Sequence, residues 1–176
     1  MVGLTSQERL QPSLLDRLTD QQPGSGQEAL ADRVLNKKQL REAVLRDLAW
    51  LFNTTMQEPP INSPDLERQR MWAEVPAARD SVMNFGIPSL SGITVSYLEF
   101  PRLEHAIRQA IVRFEPRIDP KTLSVKISND MSTGIKPTNL RLVIKGQMWN
   151  QPVPLELLLS ADVDVDTGQT AVRDMR

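Results

Sequence analysis

Residues 153–166 read VPLELLLSADVDVD. Val153, Leu155, Leu157, Leu159, Ala161, Val163 and Val165 share one parity, while Glu156, Ser160, Asp162, Asp164 and Asp166 dominate the other. Successive side chains of a strand point to opposite faces, so this run is a long strand with one face in a core and the other in water. Half-buried strands of that kind belong to antiparallel sheets. Just upstream, Leu140, Leu142 and Ile144 alternate with Arg141, Val143 and Lys145, and Leu123, Val125 and Ile127 alternate with Ser124, Lys126 and Ser128. The spacing predicts three strands in a meander.

Before the strands the apolar period lengthens to that of a helix. Leu40, Ala43, Val44, Leu48, Leu51 and Phe52 form one stripe, with Asn36 and Gln39 placed as a capping pair and Arg41, Glu42 and Arg46 expected to face out. Pro101 can open a second helix whose apolar face is Leu103, Ala106, Ile107, Ala110, Ile111 and Phe114. Glu104 and Arg108 sit four apart on its outer side in the favourable order, and Pro116 stops it. The expected fold is therefore α+β: two main amphipathic helices packed on a small, mainly antiparallel sheet.

The rest is less regular. Pro59, Pro60, Pro64 and Pro76 confine any helix between Asn53 and Arg79 to a short piece, placed at Asp65 to Trp72. Residues 80–88 read as one helical turn stopped by Gly86 and Pro88, and Ile93, Val95 and Tyr97 as a short strand. Near the amino terminus, PSLLDRL from Pro12 to Leu18 makes two turns of helix with a narrow stripe of Leu14, Leu15 and Leu18. A helix that short does not persist alone in water, so it must dock on its own domain or on another protein. The following QQPGSGQ, residues 21–27, is a flexible linker. The chain thus divides into a flexible N-terminal arm (1–29), a single domain (30–170) and a C-terminal tail (171–176).

Bulk properties exclude several functions. At 176 residues the chain suits one domain with some trim. With Lys+Arg 21 against Asp+Glu 22, net charge -1, there is no global field to attract nucleic acid or an anionic membrane. No cysteine is present, and His105 is the single histidine, so thiolate chemistry and sulfur- or histidine-rich metal sites are ruled out. No run approaches the ~18 apolar residues of a membrane span, and no secretory signal opens the chain. These features predict a soluble, cytoplasmic protein without a cofactor.

Residues that invite a chemical reading have structural explanations. Asp162-Val163-Asp164-Val165-Asp166-Thr167-Gly168 is like the start of a calcium loop, but the glycine falls one place late and Arg173 stands where the closing glutamate belongs. A solvated strand face accounts for it. Trp50, Trp72 and Trp149 are expected to pack in the core or at its rim. The sequence carries no GxSxG, HExxH or phosphate-cradling glycine loop. Paired carboxylates of a glycoside hydrolase need only ~5–9.5 Å of separation, which no sequence excludes.

One segment stands apart. In IVRFEPRIDP, residues 111–120, Pro116 pushes Glu115 into an extended conformation, so Glu115 and Arg117 project to one side and the proline ring to the other. An exposed ion pair is worth only ~0–1 kcal/mol, but losing one member of a desolvated pair costs ~2–5 kcal/mol, which makes the turn a candidate for enclosure in an interface.

Together, PSLLDRL, LRDLAWLFNT (45–54), SVMNFGIPSLSG (81–92) and IRQAIVRFEPRI (107–118) resemble the TssE family, type VI secretion baseplate subunits related to phage tail baseplate wedge proteins that carry a historical lysozyme-like label. The resemblance follows nearly the whole chain in order. It implies a scaffold without catalysis that joins the wedge subunits TssF and TssG, with TssK in the same complex, to the first ring of the TssB and TssC sheath, in a baseplate docked near the inner membrane. It also implies that Glu115, Pro116 and Arg117 contact the wedge core, that Leu14, Leu15, Asp16, Arg17 and Leu18 pack on wedge partners, and that the sheet accepts sheath strands.

Overall fold

The computed structural model describes residues 13–18, 37–59, 63–90, 100–128, 139–149 and 154–175. In chain order the elements are α1 (Leu14–Leu18), α2 (Lys37–Phe52), α3 (Leu66–Glu74), α4 (Pro76–Arg79), a 3-10 turn (Val82–Asn84), α5 (Phe100–Phe114), β1 (Ser124–Ser128), β2 (Asn139–Met148), β3 (Leu155–Asp164) and β4 (Thr170–Asp174). The expected Asn36 cap, the linker at 21–27 and the strand at 93–97 lie outside the described residues.

The strands run in the order β1-β2-β3-β4, each antiparallel to the next. Register follows from burial. Ile144 lies between Val125 and Leu159, Leu142 between Ile127 and Ala161, and Leu140 opposite Val163. Shifting any strand by one residue would turn its whole apolar set to water, so the alternation seen in the sequence fixes these partners. The other face is polar, and Arg141 Nε donates to Asp162 Oδ1 across it at 2.7 Å.

Onto the apolar face pack the stripes of the two long helices. Leu40, Val44, Leu48, Leu51 and Phe52 of α2, with Leu103, Ile107, Ala110 and Ile111 of α5, join the strand residues in one continuous core. All six stripe positions read for α2 are buried. On α5, Ala106 and Phe114 are only half-buried, Phe114 meeting Phe85 edge to face at 5.2 Å. The fold is α+β with helices against an antiparallel sheet, as the alternation requires.

Three features differ from the sequence reading. The supposed tail supplies most of a fourth strand, β4, whose Val163–Thr170 and Ala161–Val172 pairings extend the meander. Arg41 does not simply face out: it binds Asp174 at the end of β4 and donates to the Glu156 carbonyl at 3.1 Å. Glu104 and Arg108 do not pair with each other. Glu104 accepts from the Ile127 amide (2.9 Å) and Lys126 (3.2 Å), whereas Arg108 donates to the carbonyls of Leu123 and Pro120. Opposite, the Asn53 side chain bonds both the amide and the carbonyl of Thr170, at 2.9 Å each. Both outer strands therefore have backbone groups stopped by side chains, which blunts an edge against unwanted pairing.

The proline-rich stretch is organised by a buried polar residue. Asn84, at the end of the 3-10 turn, accepts from the Glu58 amide and donates to the Arg79 carbonyl and the Glu58 carboxylate. Two residues on, Gly86 has φ 135, and a Cβ there would lie 2.4 Å from the Thr54 carbonyl oxygen. Only glycine allows the close approach in which the Ile87 amide donates to the Thr54 carbonyl and the Met56 amide to the Ile87 carbonyl.

Candidate functional site

At the end of α5 the Glu115 amide makes the last helical bond, to the Ile111 carbonyl at 2.8 Å, and Pro116 ends the helix. The chain then turns and runs beside β2: Ile118 bridges to Met148, the Asp119 amide reaches the Gln147 carbonyl, and the Trp149 amide reaches the Arg117 carbonyl, the last two at 2.9 Å. This fixes both flanks of Pro116. The expected extended run is instead a turn through Pro116 and Arg117, closed by the Ile118 amide on the Glu115 carbonyl at 3.3 Å; it folds Arg117 back onto the Glu115 carboxylate and leaves Pro116 exposed.

The pair does not wait for a neighbour to neutralise it. Glu115 is 2% exposed. Its Oε1 accepts from Arg117 Nε at 2.6 Å and from the Arg117 amide at 3.1 Å, and Oε2 accepts from Arg117 Nη2. The same guanidinium also donates to Asp47 on α2. Burial works against the Arg117 cation, but the bonds from Glu115 and Asp47 outweigh it and raise its pKa above the ordinary arginine value. Enclosure of this pair is already achieved inside the chain.

Asp47 extends the network. Its Oδ1 accepts from Arg46 Nε at 3.0 Å, and Arg46 Nη1 donates to Asp16 on α1. The Arg46 guanidinium also lies over the Trp50 ring, 5.3 Å from its centroid, and Trp50 is 51% exposed. Asp16 is oriented in turn by Ser13, whose hydroxyl donates to Asp16 Oδ2 at 2.6 Å and accepts from the Asp16 amide at 3.3 Å. Contact with Arg46, helped by Ser13 and opposed by partial burial, lowers the Asp16 pKa. Five charged residues, Asp16, Arg46, Asp47, Arg117 and Glu115, thus form one chain of alternating sign from the arm to the turn.

The arm helix docks by its acid. Leu14 and Leu18 are 72% and 73% exposed, and Leu15 is 42% exposed. The sequence stripe identified leucines that would need a partner, but it is Asp16 that meets the domain. The side chain of Arg17 lies outside the described set. Arg46, expected to face out, and Asp47, which the sequence reading passed over, are the residues that join arm and turn. The adjacent opposite charges inside LRDLAW were the available signal.

Other candidates have ordinary surroundings. Asp164 Oδ1 accepts from the Asp166 and Thr167 amides, and Gly168, with φ 73, bonds the Asp164 carbonyl at 2.7 Å. These bonds hold its carboxyl below the usual range. The DVDVDTG run is thus the end of β3 and its hairpin turn toward β4, with Asp162 bound to Arg141 and Arg173. His105 is exposed on α5. A hollow of about 190 Å³ is lined by Phe52–Thr55, Ile87–Leu90 and Thr167–Gln169, none of them ionisable. A second, of about 170 Å³, lies beside Trp72, where Glu58 and Arg79 neutralise each other at 2.8 Å. Among the described residues no helix is long and apolar enough to cross a membrane.

The domain's buried and half-buried ions pair with one another, and exposed apolar side chains on α1 (Leu14, Leu15, Leu18), α3 (Leu66, Met71) and the 3-10 turn (Val82, Met83) offer surface to other chains, as suits a structural assembly protein. The family model described as "Baseplate wedge protein gp25" matches residues 38–153, more than half of the chain, and the chain belongs to that family. It is accordingly a structural component of a phage-tail-like baseplate. Arg46, Asp47 and the 115–117 turn fall inside the matched region, and Asp16 lies before it. No curated protein and no solved structure matches.

Proposed function

We propose that the chain is a type VI secretion baseplate subunit of the TssE kind, joining the wedge subunits TssF and TssG, in a complex with TssK, to the first TssB and TssC ring of the contractile sheath. It works as a scaffold in the cytoplasm, at a baseplate docked near the inner membrane, and performs no catalysis. The observation that carries this reading is the wedge-family match across the residues that build the Glu115-Pro116-Arg117 turn. In this reading Pro116 and the outer part of the turn meet the wedge, while Glu115 and Arg117 hold its shape from within. Leu14, Leu15 and Leu18 of the arm supply apolar contact to wedge chains, with Asp16 and Arg17 between them.

Contact with the sheath uses strand addition, in which backbone hydrogen bonds supply affinity and alternate side chains supply choice. Because Glu104, Arg108 and Asn53 already bond the outer strands, an incoming strand exchanges with side-chain bonds and does not fill a bare edge.

The deciding experiment is co-purification with TssF and TssG of a Leu14→Ser, Leu18→Ser double variant and, separately, of Pro116→Ser. All three positions are exposed, so the isolated chain should keep its melting temperature while the wedge chains are lost or much reduced. Undiminished recovery of both partners by both variants would overturn the proposed contacts.

A further inference from the structure

We infer that Arg46 and Asp47 of α2 are positioning residues that hold the arm helix and the Glu115–Arg117 turn as one mechanical unit, so that a change at either end is felt at the other. The inference rests on the reading that these two segments bind baseplate neighbours, and adds that they do so in a fixed mutual arrangement. Asp16 and Arg46 are 30 positions apart, and Asp47 and Arg117 are 70 apart. Among the described residues they are joined by the side-by-side placement of Arg46 and Asp47, bonded to each other at 3.0 Å.

Two physical points make the link consequential. First, α1 has five residues and is too short to persist by itself, so its place depends on what it touches. Leu14 and Leu18 are largely in water and Leu15 is a little more than half covered, so the Asp16–Arg46 bond is the charged tie between this helix and α2. Second, Arg46 has a long, flexible side chain. Asp47 fixes its Nε edge and the Trp50 ring covers its face, so Nη1 is left directed at Asp16. Asp47 is itself held by Arg117, which Glu115 grips through three donors. The half-buried ions couple more strongly than surface ions because solvent screens them less.

The arrangement orients the leucines. Asp16 lies on the opposite side of a helical turn from Leu14 and Leu18, so pinning the acid to α2 faces both leucines away from the domain. Without the pin the arm could turn them onto its own core or into disorder, and the partner would have to order the arm as it bound.

The test uses the full chain without partners. Trypsin cleavage after Arg17, inside α1, reports arm docking. Asp47→Ala touches no arm residue, yet it should speed that cleavage about threefold or more, the size expected for directly networked groups, with the amide exchange of β3 unchanged. An unchanged rate in a folded variant would overturn the inference. Should Asp47→Ala loosen the whole domain, Asp16→Asn decides, since it alters only the arm. Read by NMR, the Arg117 Nε–H resonance should move in Asp16→Asn, and a stationary resonance overturns the coupling. Neither readout involves TssF or TssG, so a failed co-purification and a failed coupling remain separate results.

Discussion

At the scale of single residues, the chain buries a carboxylate, Glu115, and surrounds it with donors from one neighbour. Glu115 accepts three bonds from Arg117, one from the backbone and two from the guanidinium. Removing it would leave a cation that is mostly withdrawn from water with Asp47 as its remaining partner. Breaking such a pair by deleting one member costs about 3–5 kcal/mol in buried settings. Glu115→Ala should therefore lower the urea midpoint of the isolated chain by an amount equivalent to about 3 kcal/mol. A midpoint within error of the parent would show that the pair contributes nothing to folding. A loss of partner binding in this variant follows from misfolding as readily as from a lost contact, which is why Pro116 and the leucines are the better probes of the interface. The sequence placed opposite charges on either side of a proline; it did not show that the turn folds one onto the other, nor that Arg117 also binds an acid 70 positions away.

At the scale of elements, the arm helix is the part most dependent on one interaction, and its pH response follows from that. Asp16 faces Ser13 and Arg46; behind them stand Asp47, Arg117 and Glu115. The contact with Arg46 lowers the Asp16 pKa below its ordinary 3.8. A depressed carboxylate pKa adds stability to the docked state that is fully present above the ordinary value and disappears as pH falls through the lowered one. Docking should thus be constant from neutral pH to about 5 and weaken below about 4, seen as faster amide exchange in α1 relative to α2. Exchange ratios that stay level down to pH 3 would contradict the assignment of Asp16 as the pin. The other elements were readable to different degrees. The α2 stripe and the β3 alternation follow from periodicity alone, since each repeats over four or more positions. β4 did not, because Thr170 and Val172 give only two buried-side positions in five residues. Its pairing with β3 is provided by the hairpin turn at Asp164 and Gly168.

At the scale of the whole molecule, the least exposed of the described acidic residues are engaged. Glu115, Asp47, Asp16, Asp162 and Asp174 each bond an arginine, and Glu104 caps an outer strand. Glycoside hydrolysis asks instead for one acid held protonated and a second free to act across a sugar-sized cleft. The larger hollow offers no ionisable side chain at all. The purified chain should release no soluble fragments from peptidoglycan in a turnover assay. Release that vanished on substituting two acids would revive the lysozyme-like reading and overturn the scaffold assignment.

What the sequence determined by itself is the set of local decisions: where apolar residues recur every second or every third to fourth position, which faces they define, and where proline ends a helix. Those are short-range consequences of backbone geometry and read directly from order along the chain. Which charges meet was decided only in three dimensions. Arg46 and Arg108 look like ordinary outward helix residues until packing brings Asp16 to one and the carbonyls of Leu123 and Pro120 to the other. The reason is physical: burial pattern is a property of neighbours in sequence, whereas an ion network belongs to side chains whose separation is set by the assembled sheet and the two helices laid across it.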